Sequence, residues 1–143
     1  MPARETRTGF TLHEALAGLT LAAVLIAGSM IQLPPVLHAV RLSGAGRTVG
    51  TALRLARGRA IASNTEIEVR FDGLRGTLET RERAGATLET RSLPAGVGFT
   101  GLPARGRITF GALGTAENGT ITLAAGRGIR RVVVNQRGRV RVQ

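Results

Sequence analysis

The sequence predicts an α+β fold in which one long N-terminal helix packs on an antiparallel β-sheet. The first supporting observation is a change of hydrophobic period, from about 3.6 residues before position 64 to two residues after it. The second is that the later segments read as strands with one apolar face, which needs a cover. Since the helix is the only amphipathic element able to cover that face, helix and sheet are expected to share one core.

Composition narrows the classes of function. The chain has 143 residues, enough for one modest domain and an anchor. Its 20 basic residues are all Arg; they outnumber nine acidic residues and give a net charge of +11, which favours anionic partners. The lack of Cys excludes disulfides and thiolate metal sites. The lack of Trp and Tyr disfavours a nucleic-acid reader built on stacking aromatic side chains.

The N-terminal segment begins with a carboxylate in an unusual place. Residues 15–37 form a run of 23 positions without a charged side chain, long enough for a helix that spans a bilayer. Glu14 stands at the start of this run, where a carboxylate is costly unless it has a partner. A secretory signal peptide is disfavoured because the run is longer than a usual apolar core and lacks a clear cleavage site. An ordinary single-pass anchor leaves Glu14 unexplained.

The stretch around Glu14 resembles the type IV prepilin signal. The matching residues are Arg4 and Arg7 in a short leader, then Gly9, Phe10, Thr11, Leu12 and Glu14. The resemblance implies that a prepilin peptidase removes residues 1–9 by cutting after Gly9, and that Phe10 is then N-methylated. The new α-amino group of one subunit could neutralise Glu14 of a neighbour in a filament, which makes Glu14 an assembly residue. One departure is His13, where the family usually has an aliphatic residue.

The same resemblance implies a location. Residues 10–40 would form the transmembrane and assembly helix, in contact with inner-membrane lipid. The leader arginines favour the cytoplasmic side for the N-terminus, which places the C-terminal head, residues 41–143, in the periplasm as a single-pass protein. After assembly the same helix would lie in the core of a filament.

Beyond Pro34 and Pro35, where a kink is expected, the helix becomes amphipathic. Within residues 41–63 the apolar face is formed by Leu42, Val49, Leu53, Ala56 and Ala60. The opposite face carries Arg47, Arg54 and Arg57. This spacing predicts the second half of one long helix that ends near Ser63, with its arginine face in solvent.

Residues 64–143 are predicted to be rich in β-strands. Strict alternation over residues 66–71 places Ile67, Val69 and Phe71 on an inner face. The exposed strand faces are expected to carry Glu66, Glu68, Glu79 and Glu89. Residues 77–81 and 87–91 repeat the same five letters and are expected to pair as a hairpin. Later strands are predicted at residues 107–110, 120–123, 129–134 and 139–142, with a Gly- and Pro-rich loop over 94–106 and turns at 72–73, 84–85, 117–119 and 137–138.

The order of the C-terminal elements resembles the GspH/FimT family. The resemblance rests on residues 108–114, 119–123, 131–135 and 138–141, behind the prepilin signal. It implies a pilin-like fold and a low-copy minor pseudopilin of a type II secretion system, or a minor type IV pilin. Such a subunit would help to initiate or cap a filament of other pseudopilins or pilins. Type II secretion is the leading hypothesis, and an unrelated single-pass anchored β protein is a weaker one.

A basic cluster occupies the last 17 residues, which contain no acid. Its members are Arg127, Arg130, Arg131, Arg137, Arg139 and Arg141. Arginines so placed could hold phosphates. In the family's competence-associated members a Gly-Arg-x-Arg tail is associated with DNA binding, and here it maps onto Gly138, Arg139 and Arg141. The alternative function is therefore a tip-located minor pilin that binds DNA for uptake. The competing interpretation is a solvated edge strand whose charge discourages aggregation.

The sequence gives no indication of catalysis. The only histidines, His13 and His38, lie beside the predicted membrane segment, so the head has neither a Ser-His-Asp triad nor a histidine metal site. We expect no enzyme activity, no metal and no cofactor.

Overall fold

The computed structural model describes residues 11–30, 33–83 and 85–143. The chain divides into two compact units, Met1–Pro34 and Pro35–Gln143. In the first unit, helix α1 runs over Leu12–Met30. Within the described ranges, no helix is both long enough and apolar enough to cross a membrane.

Helix α2 covers Leu33–Ser63. Pro34 and Pro35 lie in its first turn, where a missing backbone N–H removes no helical hydrogen bond. The predicted single helix and its kink depend on residues 31–32, which lie outside the described residues. The C-terminal end at Ser63 agrees with the predicted one, and the following Asn64 has a positive φ of 52°, a backbone conformation that Asn tolerates at a helix end.

Among the described residues, eight antiparallel strands follow α2. They are β1 (Ile67–Asp72), β2 (Thr77–Glu82), β3 (Thr87–Ser92), β4 (Gly98–Gly101), β5 (Arg107–Phe110), β6 (Gly119–Ala125), β7 (Gly128–Val134) and β8 (Val140–Val142). They form two sheets instead of the single predicted one. The first sheet has the order β3-β2-β1-β5, and the second sheet has the order β4-β6-β7-β8. The α+β class is confirmed.

Most of the predicted strands are present. The two five-letter repeats form the expected antiparallel hairpin β2–β3. Strand β4 lies inside the stretch predicted as a loop, and it pairs with β6. The prediction missed this strand because glycines occupy two of its four positions. The turn predicted at residues 117–119 is wrong: the chain turns at residues 112–113, and Gly119 already begins β6.

The hydrophobic core lies between α2 and the two sheets. All five apolar residues predicted for the helix face are buried, as are Ile67, Val69 and Phe71 of β1. The second sheet contributes Ile121, Leu123, Val132 and Val134. Phe71 and Phe99 meet edge to face, with ring centroids 5.7 Å apart, and thereby join the first sheet to β4 of the second sheet.

Two predicted surface acids have different surroundings. Glu68 is buried, with 8% of its surface exposed, because it ion-pairs with Arg70 and with Arg107, whose Nη1 lies 3.5 Å from its Oε2. Glu89 instead bonds to Arg59 of α2 and to Arg91 of its own strand. The carboxylates of the first sheet are therefore tied to arginines more closely than strand alternation predicted.

Candidate functional site

Glu14 lies in the first turn of α1 and is exposed. Its backbone N–H donates to the backbone oxygen of Thr11 at 3.0 Å and faces the Thr11 hydroxyl at 3.4 Å. Thr11 and Glu14 thus have the spacing of a capping box, which the sequence analysis did not recognise. The helix dipole also favours a carboxylate at this end. The predicted processing residues Gly9 and Phe10 lie outside the described residues.

The predicted arginine cluster does not form one surface. Val132, Val134 and Val140 point into the core, and β7 pairs with β8 so that Val133 faces Arg141. Since side chains alternate along a strand, the residues between these valines point outward. The arginines that share this outer side of the second sheet are Arg131, Arg139 and Arg141, and all three are exposed. We call these three residues the outer arginine face.

The other three cluster members lie elsewhere. Arg127 is in the tight turn between β6 and β7, whereas Arg137 is in the turn between β7 and β8, at the opposite end of these strands. Arg130 has the alternation parity of Val132, so its side chain runs toward α2. A Cβ atom placed on Gly46 of α2 would lie 2.8 Å from Cδ of Arg130. Proximity in sequence therefore overstated proximity in space.

Within the described part of the chain, no ion pair involves the outer arginine face. Residues 118–143 contain no Asp or Glu. The ion pairs found among the described residues involve other arginines, namely Arg59, Arg70, Arg75, Arg83, Arg91, Arg105 and Arg107. Thr122, which pairs with Arg131, and Thr120, which pairs with Val133, extend the outer side as neutral, polar positions. The three guanidinium groups of this face are thus accessible to solvent or to a binding partner.

A second arrangement explains why glycine occupies two positions of the resemblance motifs. Nε of Arg57 donates to the carbonyl oxygen of Gly114 at 3.0 Å. A Cβ atom on Gly138 would overlap that same carbonyl oxygen and lie 2.8 Å from Nε of Arg57. Both glycines have positive φ, 76° for Gly114 and 69° for Gly138. We call Arg57, Gly114 and Gly138 the arginine clasp, since one helix side chain joins two turns.

The clasp positions the outer arginine face. Gly138 ends the turn that leads into β8, and its N–H donates to the carbonyl oxygen of Asn135 at 2.8 Å. The N–H of Arg139 donates to Oδ1 of Asn135 at 2.9 Å. Arg57 was predicted to be a solvated helix residue; the structure corrects this, because its side chain is half-buried between the two turns. The signal that could have revealed it is the spacing: Arg57 follows the core residue Leu53 by four positions and therefore lies on the same face of the helix.

Strand β8 also lies close to the helix axis. A Cβ atom on Gly46 would lie 3.2 Å from Val142, and one on Gly50 would lie 2.9 Å from it. Both glycines are buried. The two glycines therefore form a notch in α2 that receives the last residue of β8, so the edge of the second sheet is held at both ends.

Among the residues that the structure describes, no group of three or more His, Asp or Glu side chains could hold a metal ion. The described part of the chain places His38 against the β6–β7 turn: a Cβ atom on Gly126 would lie 3.5 Å from its imidazole ring. The candidate site is thus a set of cationic side chains on the strands and turns of the second sheet.

Known structures share this fold. The type IV minor pilin FimU of Pseudomonas aeruginosa superposes with a TM-score of 0.62 at 21% identity, covering 71% of this chain and 87% of FimU. The minor pseudopilin EpsH from the type II secretion system of Vibrio cholerae superposes with a TM-score of 0.58 at 17% identity, covering 72% of this chain and 96% of EpsH. No curated protein matches the chain in sequence.

A helix packed on two antiparallel sheets is the pilin-like fold that these structural neighbours share. The family model described as type II transport protein GspH matches residues 45–138, which include the C-terminal part of α2, strands β1 to β7 and both motif glycines. The chain belongs to the GspH family. Family and fold together support a structural role in a type II secretion or type IV pilus system.

Proposed function

We propose that this protein is a minor pseudopilin of a type II secretion system, a structural subunit that helps to initiate or cap the periplasmic pseudopilus. The observation that carries the proposal is the match of residues 45–138 to the GspH family model. The similarity to EpsH agrees with it at the level of the fold. The protein acts through contacts with other pseudopilins and is a substrate of processing, without catalytic activity of its own.

The proposal includes the N-terminal events. A prepilin peptidase cuts between Gly9 and Phe10, Phe10 is methylated, and the chain is held once in the inner membrane with its head in the periplasm. The support is the uncharged run of residues 15–37 behind Glu14. N-terminal sequencing of the mature protein tests the cut: a methylated Phe10 is expected, and an intact Met1 would contradict processing.

The role of Glu14 in assembly can be separated from its role in the helix cap. Glu14→Gln removes the charge and leaves the side-chain size unchanged, so cleavage should continue while pseudopilus assembly and secretion fall. Thr11→Ala is the matched control, because it removes the cap hydroxyl and leaves the carboxylate in place. If Thr11→Ala impaired secretion as strongly as Glu14→Gln, the capping role would account for both and the assembly role of Glu14 would be wrong.

A second candidate function is DNA capture by a minor type IV pilin. The observation that favours it is the outer arginine face, whose three exposed arginines have no carboxylate partner among the described residues. Unpaired guanidinium groups on one side of a sheet suit contacts with phosphates, which would be independent of base sequence and would weaken as salt rises.

The test measures binding of double-stranded DNA by the full chain in detergent, at several salt concentrations. Arg139→Ala combined with Arg141→Ala should weaken binding and flatten its salt dependence by about two counterions. The matched control is Arg75→Ala with Arg105→Ala, which removes the same charge from arginines that are 82% and 69% exposed but ion-paired. Equal losses in both double variants would reduce the effect to net charge and contradict a specific DNA surface.

A further inference from the structure

One end of the second unit combines exposed aliphatic side chains with cationic groups. The first turns of α2 expose Val36, Leu37 and Val40, with 60%, 49% and 64% of their surface accessible. Aliphatic side chains this exposed are unfavourable in water. Val36 and Leu37 are the last two residues of the uncharged run 15–37, and Val40 follows this run within α2.

Three chain segments meet at this end. The turn between β6 and β7 packs on α2, because Gly126 approaches His38, and a Cβ atom on Gly128 would lie 3.0 Å from Leu42. The loop between β3 and β4 joins them through Arg41, whose Nη1 donates to the carbonyl oxygen of Ala95 at 3.4 Å. The exposed aliphatic residues thus sit on a platform that is fixed by tertiary contacts.

The charge at this end is entirely positive. Arg41 lies on the first turns of α2, Arg127 lies in the β6–β7 turn, and Arg130 extends along Gly46. Residues 35–65, 92–104 and 118–143, which supply this end, contain no Asp or Glu. No ion pair among the described residues involves these three arginines.

We propose that Arg41, Arg127 and Arg130, with the exposed aliphatic residues beside them, form a collar that binds the anionic headgroups of the membrane surface. Membrane proteins commonly use Trp and Tyr at this depth, and the chain contains neither. Arginine can replace them, since its apolar stem covers aliphatic surface while its guanidinium reaches a lipid phosphate. The collar differs from the outer arginine face, and it rests on the proposed membrane anchoring.

The experiment uses the full chain in nanodiscs of pure phosphatidylcholine or of phosphatidylcholine with phosphatidylglycerol, and follows hydrogen exchange in residues 36–42 and 125–131. Anionic lipid should slow exchange there by about fivefold for each arginine engaged, and added salt should reduce the effect. Arg127→Gln with Arg130→Gln should abolish the lipid dependence. The matched control, Arg139→Gln with Arg141→Gln, should keep it.

Equal exchange in the two lipids, or equal loss in both double variants, would overturn the collar. An unchanged lipid dependence in Arg127→Gln with Arg130→Gln would also overturn it, and weaker binding of double-stranded DNA by that variant in detergent would assign these residues to nucleic acid. Failure of the anchoring proposal is distinguishable, because the wild-type chain would then leave the discs on carbonate extraction.

Discussion

The two sheets of the head differ in whether their arginines are paired with acidic side chains. In the first sheet, acids and arginines alternate along neighbouring strands, so that Glu68 faces Arg81 and Arg70 faces Glu79 in register. The strands of the second sheet contain arginines and no acid at all. The first sheet therefore neutralises itself, whereas the charge of the second remains available to a partner.

The difference extends to how the sheets are fixed. Glu68 of the first sheet is held by arginines on its own strand and on β5, and its hydrogen bond and its charge raise the pKa of Arg70 above its ordinary value. The edge of the second sheet is held by close steric packing at the arginine clasp and the glycine notch, and by the hydrogen bond from Arg57 to Gly114. Stability of the first sheet should thus respond to charge, and that of the second to volume.

The largest effect is expected for Gly138→Ala. The added Cβ would overlap the Gly114 carbonyl at a positive φ, so the free energy of unfolding should fall by about 3 kcal/mol or more. Chemical denaturation measures it. Gly76→Ala, in the first sheet, is the control: its φ is also positive, 63°, but a Cβ there meets nothing within 4 Å, so only about 1–2 kcal/mol of backbone strain is expected. Equal losses would show that strain, not contact, governs position 138.

A smaller effect should follow Arg57→Ala. This change removes the hydrogen bond to the Gly114 carbonyl and should cost about 1–3 kcal/mol in unfolding free energy. Arg54→Ala removes the same charge from an exposed position of α2 and should stay within about 0.5 kcal/mol. The clasp would be unsupported if the two variants had the same denaturation midpoint.

Glu68→Gln probes the first sheet. It leaves Arg70 and Arg107, which are register partners, facing each other without a carboxylate between them, and should cost about 1–2 kcal/mol at low salt. Salt should reduce this cost because it screens the repulsion. Glu117→Gln, at a pair that is more exposed, should change stability by less than about 0.5 kcal/mol. A cost that did not depend on salt would contradict a charge-based first sheet.

The smallest effect on stability is expected for Arg139→Ala with Arg141→Ala. Neither side chain packs in the core, and the Asn135 contact uses the backbone of Arg139, so each change should stay within about 0.5 kcal/mol. Thermal unfolding of the double variant checks this. A large drop in the midpoint would assign these arginines to the fold and weaken their role as a free cationic face.

Local periodicity carried much of the fold prediction. Two patterns depend only on residues that are close together in the sequence: the helix face of Leu42, Val49 and Leu53, and the alternation in β1. Both could therefore be predicted. The partition into two sheets was not accessible, because it depends on which distant strands pair; β5 joins β1, and β4 joins β6. Strand β4 was missed because glycine is usually unfavourable within a strand.

The candidate site was predictable only in part. Strand alternation did place Arg139 and Arg141 together, but the same rule separates Arg130 from Arg131, and treating the cluster as one group overlooked this. The spacing from Leu53 could have shown that Arg57 faces the core, but its partners could not be derived, because they lie in turns far along the chain. The resemblance motifs pointed to Gly114 and Gly138 without indicating that the two glycines touch.

The arginine clasp has a consequence for the order of folding. Arg57 and Gly114 are separated by 57 positions in the chain, and Gly138 lies further still toward the C-terminus. Such a contact closes a long loop and cannot form until nearly the whole head is present. The notch of α2 therefore stays empty until β8 is in place. The last strand of the chain therefore completes the core. The time between the formation of α2 and the docking of β8 sets how long the notch of α2 is uncovered.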